Sequence, residues 1–152
     1  MKPVYITSEG VAELQSQLAE LLEQRPILVD RLKSARDASD LLENAEFIAA
    51  QQDLELLENR INKIEYLIKI AKPIKKLKHA TKVRLGSNIT LSLHNGSTYE
   101  VCVVSTIEAD PLRGKISDAS PLGQNLLGKA VGDMVTITTP TKTTTYTVTK
   151  IS

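Results

Sequence analysis

The apolar residues in the first half of the chain repeat as two heptad series that mirror each other about residue 41. In both series the steps alternate between three and four residues, which is the spacing of a coiled-coil seam. The mirrored positions, whose numbers sum to 82 in every pair, are 35 with 47, 32 with 50, 28 with 54, 25 with 57, 21 with 61, 18 with 64, 14 with 68 and 11 with 71. Arg25 is the one polar residue in the two series. This pattern predicts an antiparallel α-helical hairpin with a seam of roughly 36 Å, from about 1.5 Å of rise per residue.

The predicted turn of this hairpin is acidic. Asp37, Asp40, Glu43 and Glu46 follow one another at intervals of three, and residues 37–58 contain seven acids and no Lys or Arg. The simplest alternative is that these acids only keep a helical turn soluble. An ordinary solvated helix face does not need such segregation of charge, so we expect the hairpin to present carboxylates at the end of a stiff arm.

The second half of the chain changes from a helical to an alternating apolar period. Strands are predicted over residues 88–93, 99–104, 134–138 and 143–151. Residues 120–128 begin with Ser-Pro and end with Gly, which predicts a short helix. The sequence therefore predicts an α+β chain of two domains: a coiled-coil hairpin over residues 1–78 and a small antiparallel β-sheet domain with one short helix over residues 79–152.

Composition excludes several classes of function. With 19 Lys+Arg against 18 Asp+Glu, the bulk charge does not favour wrapping of duplex DNA. One Cys and two separated His residues cannot form a zinc site. The sequence contains no nucleophile beside a base and no Gly-rich phosphate loop, so no enzyme site is predicted. Without a basic-then-apolar leader or a long apolar run, we expect a soluble cytoplasmic protein and no membrane contact.

The acidic turn has a chemistry of its own. Mg²⁺ is usually held by one or two carboxylates together with substrate phosphates and waters. Two carboxylates on an exposed turn are too few to hold the ion well alone. The sequence therefore indicates no cofactor bound by the chain itself, but a group able to complete a half-built metal site in another macromolecule.

The segment Asp40-Leu-Leu-Glu-Asn-Ala-Glu-Phe47, preceded by Ala35-Arg36, resembles the coiled-coil tip signature of the Gre transcript-cleavage factors, and the GreA type most of all. The resemblance covers nearly the whole chain. It continues at Thr7, Gly10, Arg25-Pro26 and residues 108–110, 114–117, 120–122, 127–129 and 132–133.

This resemblance implies a monomeric transcription elongation factor, not an enzyme, whose hairpin enters the secondary channel of bacterial RNA polymerase. There it would stimulate endonucleolytic cleavage of the backtracked nascent RNA at its 3′ end. Asp40 and Glu43 match the two acids that help to hold the second catalytic Mg²⁺, so they would be the catalytic and metal-binding residues of a site shared with the polymerase. The second domain would take the FKBP-like fold of the family.

The resemblance also implies two contact surfaces. Leu42 and Gln51 occupy positions that are often basic in GreA-type factors, so the RNA-contacting patch is reduced to Arg31, Lys33 and Arg36. The residues expected to dock on the polymerase are Asp110, Ser117, Ser120, Pro121 and Leu122. For Ser120, a plain helix cap is the alternative.

Two other functions remain open from the sequence. The first is a Gre-related inhibitor that occupies the channel with its acidic tip and does not promote cleavage. The second is a coiled-coil adaptor that joins two proteins. The adaptor is disfavoured because a mirrored seam closes the hairpin on itself.

Overall fold

The computed structural model describes residues 2–38, 44–75 and 80–152. The chain divides into a helical unit, Val11–Ala71 with residues 1–2, and a β-sheet unit, Pro3–Gly10 with Lys72–Ser152. The predicted domain boundary after residue 78 lies outside the described residues. Residues 3–10 and 72–75 group with the β-sheet unit, although the sequence analysis included them in the first domain.

The helical unit is built from α1 (Ser8–Ala38) and α2 (Ala45–Ile70). Every apolar position of the two heptad series is buried or half-buried, whereas Arg25 is exposed. The most deeply buried seam residues are Ala35, Ala50, Leu57 and Ile61. The predicted seam is therefore confirmed, because the low exposure follows the alternation of three and four residues on both helices.

Contacts between α1 and α2 run in antiparallel order. Arg25 Nη2 lies 2.9 Å from Glu58 Oε1, and Arg31 Nη1 lies 2.8 Å from Asp53 Oδ2. Nearer the turn, the Arg36 guanidinium lies over the ring of Phe47, 6.0 Å from its centroid. As the residue number rises in α1, the number of its partner falls in α2. These contacts confirm the hairpin and support the mirrored register.

The end of α2 differs from the prediction. The predicted heptad series continues to position 71, but the helix ends at Ile70 and β2 (Ala71–Pro73) follows directly. This strand pairs with β1 (Val4–Ile6), and the Ile74 N–H donates to the Ile6 carbonyl at 2.9 Å. Pro73 disfavours helical backbone at the residue before it, so pairing with β1 replaces a further helical turn.

The remaining strands form one five-stranded sheet. They are β3 (Asn88–Ser92), β4 (Thr98–Val104), β5 (Lys115–Ser117), β6 (Met134–Thr138) and β7 (Thr143–Ile151). Their order is β5-β4-β3-β7-β6. The sheet is antiparallel as predicted except at β5, which was not predicted and pairs parallel to β4.

The core of the β-sheet unit lies between this sheet and α3 (Pro121–Leu126). Its buried members are Val83, Ile89, Leu91, Val103, Leu126, Val135 and Val148. The fold class is thus the predicted one, an α-helical hairpin followed by a small sheet domain with a short helix. In the described parts of the chain, no helix has the length and apolar character needed to cross a membrane.

Candidate functional site at the hairpin tip and the β-sheet unit

The two acids expected to hold a metal, Asp40 and Glu43, lie outside the described residues. Along the chain they stand between the end of α1 at Ala38 and the beginning of α2 at Ala45. Within residues 2–38, 44–75 and 80–152, no group of three or more His, Cys, Asp or Glu side chains is placed to hold a metal ion.

Arg31 of α1 forms salt bridges with two carboxylates of α2. Its Nε atom lies 3.0 Å from Glu46 Oε1, and its Nη1 atom lies 2.8 Å from Asp53 Oδ2. The hydrogen bond to Asp53, and then the one to Glu46, raise the pKa of Arg31. Its charge is shared by two carboxylates of α2.

The other two residues of the predicted RNA-contacting patch, Lys33 and Arg36, are exposed. Arg36 contacts the face of Phe47, an arrangement in which the ring quadrupole attracts the cation. Among the acids that flank the tip, Asp37 is exposed and Glu46 is engaged by Arg31. The structure therefore places basic side chains on the last turns of α1, adjoining the acidic segment in the chain.

Asn44 is a residue of this region that the sequence analysis did not single out. It is buried, with 6% of its surface exposed, and it is the N-cap of α2. Its Oδ1 accepts from the Phe47 N–H at 3.0 Å, while its Nδ2 donates to the Ala35 carbonyl at 2.5 Å. An asparagine before a helix start is a common cap, so the first contact was readable from the sequence, but the second was not.

The predicted docking residues lie at the start of α3 and on β5. The Ser120 hydroxyl accepts from the Gly123 N–H at 3.0 Å and donates to the Ser117 carbonyl at 2.6 Å. Ser120 is thus a helix cap, and the two serines are brought together. Pro121 is exposed, while Leu122 is half-buried and packs against the core.

Asp110, the remaining predicted docking residue, begins a tight 3₁₀ turn over Pro111–Arg113. Its N–H donates to the Lys115 carbonyl at 2.9 Å, and the Lys115 N–H donates back to the Asp110 carbonyl at 3.0 Å. Leu112, on this turn, is 99% exposed and was not singled out from the sequence. Its place directly after proline, in a segment between two strands, was the signal that could have indicated it.

Comparison with known proteins identifies the family. A family of transcription elongation factor N-terminal domains matches residues 4–72, and the family of GreA/GreB elongation factor C-terminal domains matches residues 78–152. The chain belongs to the GreA/GreB family. It is similar to transcription elongation factor GreA of Lactococcus lactis subsp. cremoris strain SK11, with 39% identity over 150 residues and 96% of each chain covered.

Further relatives of the GreA/GreB family cover the same span. The chain is 35% identical to GreA of Chloroflexus aggregans over 153 residues, which cover 99% of this chain and 98% of the relative. Among solved structures, GreA factor homolog 1 of Thermus thermophilus is 31% identical, with a TM-score of 0.47 and 99% of both chains covered. The predicted resemblance is confirmed: the protein is a GreA-type transcription elongation factor, not an enzyme in its own right.

Proposed function

We propose that this factor acts on bacterial RNA polymerase, inserting its hairpin through the secondary channel and stimulating cleavage of backtracked nascent RNA. The observation that carries the proposal is that the family's acidic signature stands between the two helices of a hairpin closed along its seam. Because the seam is satisfied within one chain, the factor acts as a monomer. Its place of action is the cytoplasm, where the polymerase works.

Asp40 and Glu43 are the proposed metal-holding residues. Carboxylate oxygens are the donors that Mg²⁺ prefers, and a pair of them suits an ion whose other ligands come from the polymerase and the RNA. When bound there, the ion would supply an activated water, and the other metal ion of the polymerase site would stabilise the leaving oxygen. Asp40 is the proposed direct ligand, and Glu43, with its longer side chain, either reaches the same ion or orients the water.

The basic patch is proposed to hold the extruded RNA. Lys33 and Arg36 are exposed and adjoin the tip along the chain, where they neutralise backbone phosphates. Arg31 belongs to the predicted patch, but its guanidinium is already bound by two carboxylates. We therefore assign most of the RNA contact to Lys33 and Arg36.

The β-sheet unit is proposed to dock at the mouth of the channel. Pro121 is the exposed member of the predicted surface, and the Ser117–Ser120 hydrogen bond and the packing of Leu122 hold it on a rigid helix start. Asp110 lies on the neighbouring tight turn. Docking residues held in one conformation lose little entropy on binding, which favours their use as an interface.

The test is transcript cleavage in a reconstituted backtracked complex. Asp40→Asn and Glu43→Gln should lower cleavage by orders of magnitude and should compete with the wild-type factor, because docking is left intact. Raising Mg²⁺ should restore activity only in part. Asp37→Asn is the matched control, since it removes a nearby exposed carboxylate that is not a proposed ligand.

Two outcomes would overturn the proposal. Near wild-type cleavage by Asp40→Asn at limiting Mg²⁺ would reject completion of a metal site by this residue. A wild-type protein that occupies the channel and blocks elongation without cleaving RNA would establish the inhibitor function in its place.

A further inference from the structure

The side chain of Asn44 forms hydrogen bonds with two helix ends: the beginning of α2 and the last turn of α1. The first N–H groups of a helix and its last four carbonyls have no partner within the helix. At the start of α2, the Phe47 N–H is one such donor, and Asn44 Oδ1 accepts from it at 3.0 Å. At the end of α1, the Ala35 carbonyl is one such acceptor, and Asn44 Nδ2 donates to it at 2.5 Å.

An amide suits this position better than the other common caps. Asp and Ser accept the same N-cap hydrogen bond, but an ionised carboxylate has no donor and a serine hydroxyl has a shorter reach. Asn44 is only 6% exposed, so water cannot readily replace a lost partner. Ala35, whose carbonyl accepts from Asn44, is also buried, with 6% of its surface exposed.

The hydrogen bond from Asn44 to the Ala35 carbonyl bridges the two chain segments that flank the proposed metal-holding acids. Glu43 is the residue directly before Asn44, and Asp40 stands two residues after Ala38, the last residue of α1. A hydrogen bond between Asn44 and the last turn of α1 therefore fixes the distance between the two ends of the segment that carries both acids. In catalysis, a displacement of about 1 Å can cost about 10²-fold in rate.

We propose that Asn44 is a positioning residue for the transcript-cleavage reaction, which sets the geometry of Asp40 and Glu43 through its bridge to the Ala35 carbonyl. This inference rests on the proposed function. The bridge is expected to act on the rate of cleavage at saturating factor and on the Mg²⁺ requirement. It is not expected to act on the affinity for the polymerase, because docking is assigned to the β-sheet unit.

The experiment separates the two hydrogen bonds of Asn44. Asn44→Asp and Asn44→Ser keep the cap of α2 and remove the donor to Ala35, whereas Asn44→Ala removes both contacts. Asn59→Asp makes the same chemical change at an exposed position of α2 and is the matched control. Each full-length variant is assayed well below its melting temperature, with the factor and Mg²⁺ titrated separately in backtracked complexes.

We expect the maximal cleavage rate to change while the factor concentration for half-maximal effect does not. Asn44→Asp and Asn44→Ser should lower the maximal cleavage rate about tenfold or more and raise the Mg²⁺ concentration for half-maximal cleavage. The factor concentration for half-maximal effect should stay within about twofold of the wild type, as should all parameters of Asn59→Asp. A wild-type maximal rate in Asn44→Ser, or a loss seen only as weaker binding, would overturn the inference.

The failure of this inference is distinguishable from failure of the proposed function. If Asp40→Asn is inactive while Asn44→Ser is normal, the metal-holding acids stand and the positioning role is rejected. If Asp40→Asn cleaves like the wild type at limiting Mg²⁺, completion of a metal site by Asp40, on which this inference rests, is rejected. Should Asn44→Asp fail to fold, Asn44→Ser decides the question, because serine keeps the cap without adding a charge.

Discussion

At the scale of single residues, the start of α1 is held by a carboxylate from far along the chain. Glu108 accepts from the Thr7 N–H at 2.9 Å and from the Thr7 hydroxyl at 2.5 Å. The Thr7 Oγ1 in turn accepts from the Gly10 N–H at 3.0 Å, which caps the helix. All three residues belong to the β-sheet unit, so this chain of hydrogen bonds is part of its fold.

Gly10 has no space for a side chain beside this carboxylate. A Cβ at Gly10 would lie 2.0 Å from Glu108 Oε1 and 2.7 Å from Ile6 Cγ2, and Ile6 is fully buried. We expect Gly10→Ala to lower the free energy of unfolding by about 1–3 kcal/mol, the typical cost of overpacking. The clash should outweigh the gain of about 1 kcal/mol that alanine brings to a helix interior.

Denaturant unfolding of the wild type and of Gly10→Ala measures this difference in the free energy of unfolding. Ser16→Ala, an exposed change on the same helix, is the control and should be neutral or slightly stabilising. Adding Glu108→Ala to Gly10→Ala removes the clashing carboxylate, so the two changes should be non-additive. If Gly10→Ala stabilised the protein, the close packing of Glu108 on the helix start would be refuted.

At the scale of elements, α2 offers two neighbouring leucines with opposite environments. Leu57 is 4% exposed in the seam, whereas Leu56 is 54% exposed. Leu57→Ala should lower the free energy of unfolding by about 2–5 kcal/mol, because it leaves a cavity between the helices. Leu56→Ala should change it by less than about 0.5 kcal/mol. Equal effects in denaturant or thermal unfolding would contradict the seam.

Periodicity explains which elements were predictable. The 3–4 alternation of the seam and the alternating apolar residues of β3, β4, β6 and β7 are local signals, and the structure confirms all of them. In contrast, β2 and β5 have three residues each and exist because another strand pairs with them. No window of sequence around Ala71 or Lys115 contains that partner, so neither strand was predicted.

The residues of the candidate site were predictable from the sequence only in part. The acidic signature and its two metal-holding acids came from the resemblance, and their geometry remains a prediction. The Ser120 cap was readable from the order Ser-Pro at a helix start. The Asn44 bridge to Ala35 and the Glu108 contact with Thr7 depend on residues that only the folded chain brings together, the second pair across 101 positions.

At the scale of the whole molecule, docking and cleavage should be separable by mutation. Pro121→Glu changes the exposed residue of the predicted docking surface, and an acid at the first turn of α3 is compatible with the helix dipole. We expect the factor concentration for half-maximal cleavage to rise several-fold while the maximal rate is kept. Thr141→Glu, in the exposed β6–β7 turn, adds the same charge elsewhere and should behave as the wild type.

Titration of the wild type and of each variant against backtracked complexes gives the maximal cleavage rate and the factor concentration for half-maximal cleavage. A lower maximal rate at unchanged half-saturation for Pro121→Glu would show that this surface acts on the chemistry and not on docking. An unchanged titration would remove Pro121 from the proposed interface.

The β-sheet unit is discontinuous along the chain, with Pro3–Gly10 and Lys72–Ser152 on either side of the helices. During synthesis on the ribosome, residues 3–10 therefore emerge long before Glu108, the partner that binds Thr7. The hairpin between them depends on contacts closer in sequence and should fold first, since local contacts form fastest. The helical arm is thus an insert in a sheet domain: β1 can pair with β2 only after both helices have been synthesised, and Thr7 must wait for the last third of the polypeptide before Glu108 can bind it.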